Sequence, residues 1–159
     1  MTNLHHLAQQ AVRQALESGR TVGTAESLTA GMVSAVLADT PGASGMLQGG
    51  VVAYQNSVKQ SVLNVPSALL ASVGSVDGDV AGAMAAGART VLGADVGLST
   101  TGVAGPEGHD GKPVGTVYIG IATVAGTSAF EYVFDGNRAE IRGQACGAAL
   151  ERLLEALSS

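Results

Sequence analysis

Short apolar runs alternate with stretches of helical period through most of this chain, and a hairpin pattern follows. That order restricts the fold more than any other feature. Leu4, Leu7, Ala8, Ala11, Val12, Ala15 and Leu16 recur at helical spacing, with Asn3 placed to cap the start and Gly19 to stop it. Thr21 to Ala25 reads as a short strand that runs through Glu26-Ser27 into a helix over about Thr29 to Ala38, ended by Pro41-Gly42. Leu47 to Tyr54 is a second strand, and Asn56 then caps a short helix to about Leu63, which puts Lys59 in its first turn. Pro66 opens another short helix, and Asp77 caps a longer one through Val80, Met84, Ala88 and Leu92. Asp95 to Thr101 is a third strand, followed by a glycine-rich loop from Gly102 to Gly111. Val114 to Val124 and Ser128 to Phe134 form a hairpin turned at Ala125-Gly126, and a closing helix starts near Asn137. Strands alternating with helices, then a late antiparallel hairpin, predict a three-layer α/β/α fold with a mixed, mostly parallel sheet. A length of 159 residues predicts one domain, spanning 1–159.

Composition narrows the function classes. Apolar residues make up 46% of the chain and charged ones 13%, so the core is large and the polar surface thin. Most of the apolar residues are small, which lets helices and sheet approach closely. A charge-poor surface also points to burial between subunits, so a homo-oligomer is expected. A net charge of −5 with no basic run argues against a nucleic-acid groove. No apolar run reaches the ~18 residues of a membrane span, and Met1 to Gln10 lacks a signal-peptide core. The expectation is a soluble cytoplasmic protein without membrane association. Cys146 is the only cysteine and falls on the apolar face of the last helix with Leu150, Leu153, Leu154 and Leu157, where it reads as a small buried hydrophobe. His5, His6 and His109 have no metal-ligand spacing, and no metal is expected.

Ligand sites in such folds lie beyond the carboxyl ends of the strands. Here those ends carry Glu26-Ser27, Tyr54 and Thr101-Gly102. Taken singly, Ser27 reads as a helix cap, Lys59 as a solvated lysine and Tyr54 as a half-buried strand residue. Gly102 to Gly111 matches neither G-x-G-x-x-G nor the P-loop, yet a loop with several exposed N–H groups can still hold one phosphate or an oxyanion. Taken jointly, a serine at a strand-to-helix turn and one of only two lysines form the minimum set for a Ser/Lys hydrolase. A serine hydroxyl needs a positioned base, and a lysine serves only if its pKa is lowered enough to leave it neutral.

Five ordered motifs resemble the CinA C-terminal domain family, which includes nicotinamide mononucleotide deamidases. They are Thr24-Ala25-Glu26-Ser27-Leu28-Thr29-Ala30-Gly31, Tyr54-Gln55-Asn56-Ser57-Val58-Lys59, Thr101-Gly102-Val103-Ala104-Gly105-Pro106, Lys112-Pro113-Val114-Gly115-Thr116-Val117 and Phe134-Asp135-Gly136-Asn137-Arg138. The resemblance runs from about Leu4 to Leu157. It departs at Ala30, where the family usually has glycine, at Thr101, where serine is common, and at Asn137, where aspartate is common.

The resemblance implies a metal-independent, cofactor-free Ser/Lys amidohydrolase that converts nicotinamide mononucleotide to nicotinic acid mononucleotide and ammonia, in pyridine nucleotide recycling. Ser27 is then the nucleophile, Lys59 its base, and Tyr54 a hydroxyl that orients or relays to the pair. Glu26, Thr29, Asn56, Thr101, Gly102, Gly105, Arg138 and Arg142 are the candidate substrate-binding residues. Lys59 is expected to owe a lowered pKa to desolvation, to the helix N-terminus or to Arg142, and Glu26 is expected to point away from it. The alternative is a non-catalytic nucleotide-sensing or oligomerisation module in which Ser27 is a cap and Lys59 a phosphate or surface cation.

Overall fold

A computed structural model describes residues 3–159 of the chain; residues 1 and 2, part of the stretch read above for a leader, lie outside the described residues. Helix α1 (Leu4–Ser18) is capped by Asn3, whose side chain accepts from the His6 N–H, and it stops at Gly19 in the left-handed region. Strand β1 (Val22–Glu26), helix α2 (Met32–Ala38) and strand β2 (Leu47–Val52) follow. Three helices come next, α3 (Asn56–Ser61), α4 (Ser67–Val73) and α5 (Gly78–Val91), the last capped by Asp77. Strand β3 (Val96–Gly102) precedes the hairpin of β4 (Thr116–Thr123) and β5 (Gly126–Val133). Helix α6 (Arg138–Ser158) closes the chain with a reciprocal capping box between Asn137 and Glu140.

The five strands lie in the order β2-β1-β3-β4-β5. β1 is parallel to both β2 and β3, while β4 is antiparallel to β3 and to β5, so four strands run one way and β4 the other. The chain leaves β1 for β2 on one side and returns to β3 on the other. Crossovers of one hand in opposite directions set their helices on opposite faces. Accordingly α2 joins α1 and α6 on one side, and α5 covers β1, β3, β4 and β5 on the other. Each face has its own core, one around Val12, Leu37, Ile119, Ile141 and Leu150, the other around Leu63, Val65, Val80 and Met84. Cys146 is buried in the first, where desolvation pushes its thiol up to about 12. No helix among the described residues is long and apolar enough to cross a membrane.

Element order matches the sequence reading, and the differences are at ends. Helix α2 begins at Met32 rather than Thr29, because the Ala30 N–H turns back to the Ser27 carbonyl and Ala30 and Gly31 take positive φ of 49° and 99°. β2 stops at Val52 rather than Tyr54, since the carbonyls of Ala53 and Tyr54 turn to the Lys59 ammonium. Asn56 is not a cap: Gln55 holds that position, without a side-chain bond, and Asn56 is the first helical residue. The hairpin turns at Val124-Ala125, one residue earlier than expected, with Thr123 paired to Gly126.

Small residues do set how closely α5 approaches the sheet. A Cβ on Gly120 would stand 2.3 Å from the Ala81 carbonyl oxygen, and one on Gly97 2.0 Å from that of Ala85. Gly120→Ala therefore has to displace α5 and is expected to destabilise the protein by about 1–3 kcal/mol. Gly143→Ala, with nothing within 4 Å of the new methyl on α6, should instead be neutral or stabilising by up to ~1 kcal/mol. Urea unfolding midpoints of the two variants check this contrast.

Candidate active site

Ser27 is the first residue past β1, and its N–H continues the sheet by donating to the Thr100 carbonyl at 2.9 Å. Successive strand side chains point to opposite faces. Glu26 thus turns toward α2, and Ser27 turns the other way, toward α3. There the Lys59 Nζ lies 3.0 Å from Ser27 Oγ. Lys59 is 1% exposed, and burial lowers its pKa from 10.5 to about 8. Its other two donors reach the carbonyls of Ala53 at 2.9 Å and Tyr54 at 3.1 Å. An ammonium would donate to all three groups. A neutral amine keeps two N–H bonds to the carbonyls, which leaves its lone pair aimed at the Ser27 hydroxyl. The two main-chain carbonyls therefore orient the amine.

The turn that carries Ser27 is held from behind on both sides. The buried Glu26 carboxylate accepts from the Thr29 hydroxyl at 2.6 Å, from the Val33 and Ser34 N–H groups at 2.8 and 3.0 Å, and from the Ser34 hydroxyl at 3.0 Å. It acts as the anion at the start of α2. Thr29 also meets the Thr100 hydroxyl at 2.8 Å. From α6, Arg142 donates through Nε to the Leu28 carbonyl at 2.8 Å and through Nη2 to the Thr29 carbonyl at 3.2 Å. Among the described residues the Leu28 N–H donates to no protein acceptor, and it follows Ser27 directly, the position from which strand-to-helix serine turns can hold an oxyanion.

Ser27 opens onto a cleft of about 630 Å³ across the ends of β1 and β3, the point where the strand order switches direction. Tyr54, Asn56, Thr101, Gly102, Gly105 and Arg138 line it with Ser27. Arg138 spans the cleft: Nη2 donates to the Tyr54 hydroxyl at 2.8 Å, and Nη1 to the Gly105 carbonyl. The Thr101 hydroxyl donates to the Ser75 carbonyl at 2.6 Å, tying β3 to the α4–α5 connection. Gly102 lacks a side chain because a Cβ there would meet the Thr116 carbonyl oxygen at 2.8 Å, so its neighbour strand and not a ligand explains the glycine.

Four expectations change here. Glu26, Thr29 and Arg142 do not line the cleft, because their polar groups are spent on the turn that carries Ser27. The Tyr54 hydroxyl serves Arg138, and its carbonyl, not its hydroxyl, meets Lys59. Ser75 and His109 line the cleft as well and were missed. His109 sits in the loop after β3, the place to look for a ligand group, but was read only for metal spacing. Ser75 carries no local signal, since 26 positions separate it from Thr101, which brings it in. Among the described residues no three His, Cys, Asp or Glu side chains converge as a metal site requires.

Comparison with known proteins identifies the family and the fold. The profile of the CinA C-terminal domain matches residues 4–157. A CinA-like protein of Synechococcus sp. (strain CC9902) is 48% identical over 63 residues, 40% of this chain and 15% of that protein. A putative competence-damage inducible protein of Desulforudis audaxviator is 54% identical over 54 residues, 34% of this chain and 13% of that one. The aligned stretches thus span under a sixth of these relatives' length. Among solved structures, a CinA superfamily protein from Klebsiella pneumoniae superposes with a TM-score of 0.94 at 31% identity, covering 98% of each chain. A competence/damage inducible protein from Agrobacterium tumefaciens gives 0.90 at 32% identity, covering 98% of this chain and 96% of that one. With its five-stranded mixed sheet, its strand order and its matched span, this chain belongs to the CinA C-terminal domain family.

Proposed function

We propose that this chain is a Ser/Lys amidohydrolase that removes ammonia from the carboxamide of nicotinamide mononucleotide. The observation that carries the reading is the 3.0 Å contact between a buried, pKa-lowered Lys59 Nζ and Ser27 Oγ, with two carbonyls orienting the amine. Neutral Lys59 takes the hydroxyl proton as Oγ attacks the carboxamide carbon. The Leu28 N–H stabilises the oxyanion that forms. Lys59 then returns the proton to the leaving nitrogen, ammonia departs, and a nicotinoyl ester remains on Ser27. Water, deprotonated by Lys59, hydrolyses the ester to nicotinic acid mononucleotide.

The cleft volume suits a mononucleotide. Arg138 and the main-chain N–H groups of the Ala104–Gly108 loop are the candidates for its phosphate. The non-catalytic reading needs Ser27 as the α2 cap and Lys59 as a phosphate or surface cation. The Gly31 N-cap speaks against the first, and a lysine that is 1% exposed and does not line the cleft speaks against the second.

The test is ammonia release from nicotinamide mononucleotide by the purified chain, with release expected from the wild type and none above background from Ser27→Ala. A wild type that releases no ammonia, or a Ser27→Ala variant that still does, overturns the proposal.

A further inference from the structure

The loop after β3 is fastened across the cleft by a cluster that the reaction above leaves unused. The Asp110 Oδ2 accepts from the Ser75 N–H at 2.9 Å and from the Ser75 hydroxyl at 3.0 Å. The His109 Nε2 stands 3.1 Å from the Ser75 Oγ and 3.2 Å from the Asp110 Oδ2. This is not a second nucleophile. The Ser75 proton is spent on Asp110, and Asp110 meets the same imidazole nitrogen as the serine, whereas a catalytic relay needs carboxylate and hydroxyl on opposite nitrogens.

The cluster is nonetheless built. Asp110 holds a φ of 51° without being glycine, and Gly74 leaves room for it: a Cβ there would stand 2.8 Å from Oδ2. Such strain persists where surrounding contacts over-determine it. The Ser75 N–H is the main reason the Asp110 carboxyl is held below its ordinary range. An ionised Asp110 in turn requires a proton on Nε2, so Nδ1 is the nitrogen left for a ligand, on a side chain that is 60% exposed and lines the cleft. It is an acceptor on the neutral ring and a donor once the ring takes a second proton beside an anion.

The charges around the cleft show why a donor is wanted there. A phosphate monoester carries a charge of about −1.5 to −2 at neutral pH. Among the lining residues Arg138 is the one arginine or lysine, two of its donors are committed to Gly105 and Tyr54, and Glu107 opposes it. Lys59 lies behind Ser27, and Lys112, whose backbone pairs with His109, turns its ammonium over the Tyr118 ring. We propose that His109 is a ligand-binding, specificity-determining residue that pairs with the phosphate of a mononucleotide as an imidazolium, donating Nδ1–H to it, while Ser75 and Asp110 hold the opposite ring nitrogen. The proposal rests on the mononucleotide reading above.

Titration calorimetry on a Ser27→Ala background measures binding of nicotinamide mononucleotide and of nicotinamide riboside, which lacks the phosphate. A Gln at 109 can keep an amide donor near the Nε2 position but offers none at Nδ1, whereas an Asn does the reverse. His109→Gln is expected to weaken the mononucleotide about tenfold and leave the riboside unchanged, with His109→Asn retaining part of the affinity. Equal loss for both ligands, or no loss for either, overturns the assignment, as does failure of the mononucleotide to bind at all. If the wild type releases no ammonia but His109→Gln still abolishes the preference for the mononucleotide, the amidase reading falls and the phosphate site stands.

Discussion

Ser27→Ala and Lys59→Ala are each expected to lower kcat for deamidation by on the order of 10³-fold or more, and the double variant by no more than the worse single one. A nucleophile and its base act as a unit, so the second removal takes away nothing that still works. The geometry is specific about the base. Lys59 Nζ is 3.0 Å from Ser27 Oγ, already at the distance of proton transfer. Lys59→Arg should be as inactive as Lys59→Ala, because a guanidinium does not release its proton near neutral pH and its planar fork does not fit three acceptors arranged around one ammonium. Initial rates of ammonia release with circular dichroism of each variant make the measurement. Losses that multiply in the double variant would separate the two residues and remove Lys59 from the proton transfer.

The second large effect is on pH. With the lysine lowered to about 8, kcat/KM is expected to rise about tenfold per pH unit below pH 7.5 and to level off above pH 8.5. A profile that climbs steadily to pH 10 would mean an unperturbed lysine and would sink the assignment. The cause is desolvation. Neither of the other two sources expected from the sequence is needed: α3 has only six residues, and Arg142 is engaged with the carbonyls of Leu28 and Thr29.

Linkage gives the same group a stability signature. The folded pKa lies below the unfolded one, so an unfolded chain binds more protons between about pH 8 and 10.5, and stability rises with pH through that window. The burden is full below pH 8, on the order of 3 kcal/mol, and gone above 10.5. Cys146 and Tyr118, both raised to about 12, work in the opposite direction at high pH. The comparison is therefore wild type against Lys59→Met: between pH 7 and pH 9 the wild type should gain about 1 kcal/mol relative to the variant in urea unfolding. An unchanged difference would show that burial does not perturb the lysine.

Much of the architecture was legible because its signals are local. Asn3, Asp77 and Asn137 are caps whose partners lie two or three residues away, and the apolar periods of α1, α5 and α6 need only their own helices. The ends that moved are those where a distant group intervened. The β2 end yields to a lysine side chain, and the α2 start yields to a turn that Glu26 and Arg142 hold. The reading of the site divides the same way. Ser27 and Lys59 stood out by residue type and setting, whereas Glu26, equally prominent in its motif, and Arg142, one helical turn beyond the last motif, brace the turn rather than face the cleft.

Residue order and spacing thus determined which elements form, where a turn serine and a rare lysine sit relative to them, and the fold family. Tertiary structure decided direction and environment. Whether Glu26 faces a ligand or a helix end depends on the strand's pleat relative to α2. The lowered pKa of Lys59 comes from the exclusion of water by segments far apart in sequence, and the carbonyls that aim its lone pair are fixed only once β2 has paired with β1. Ser75 and His109 meet through the loop after β3, 34 positions apart. Desolvation and hydrogen-bond direction are properties of a surrounding volume, and no window of neighbouring residues contains them.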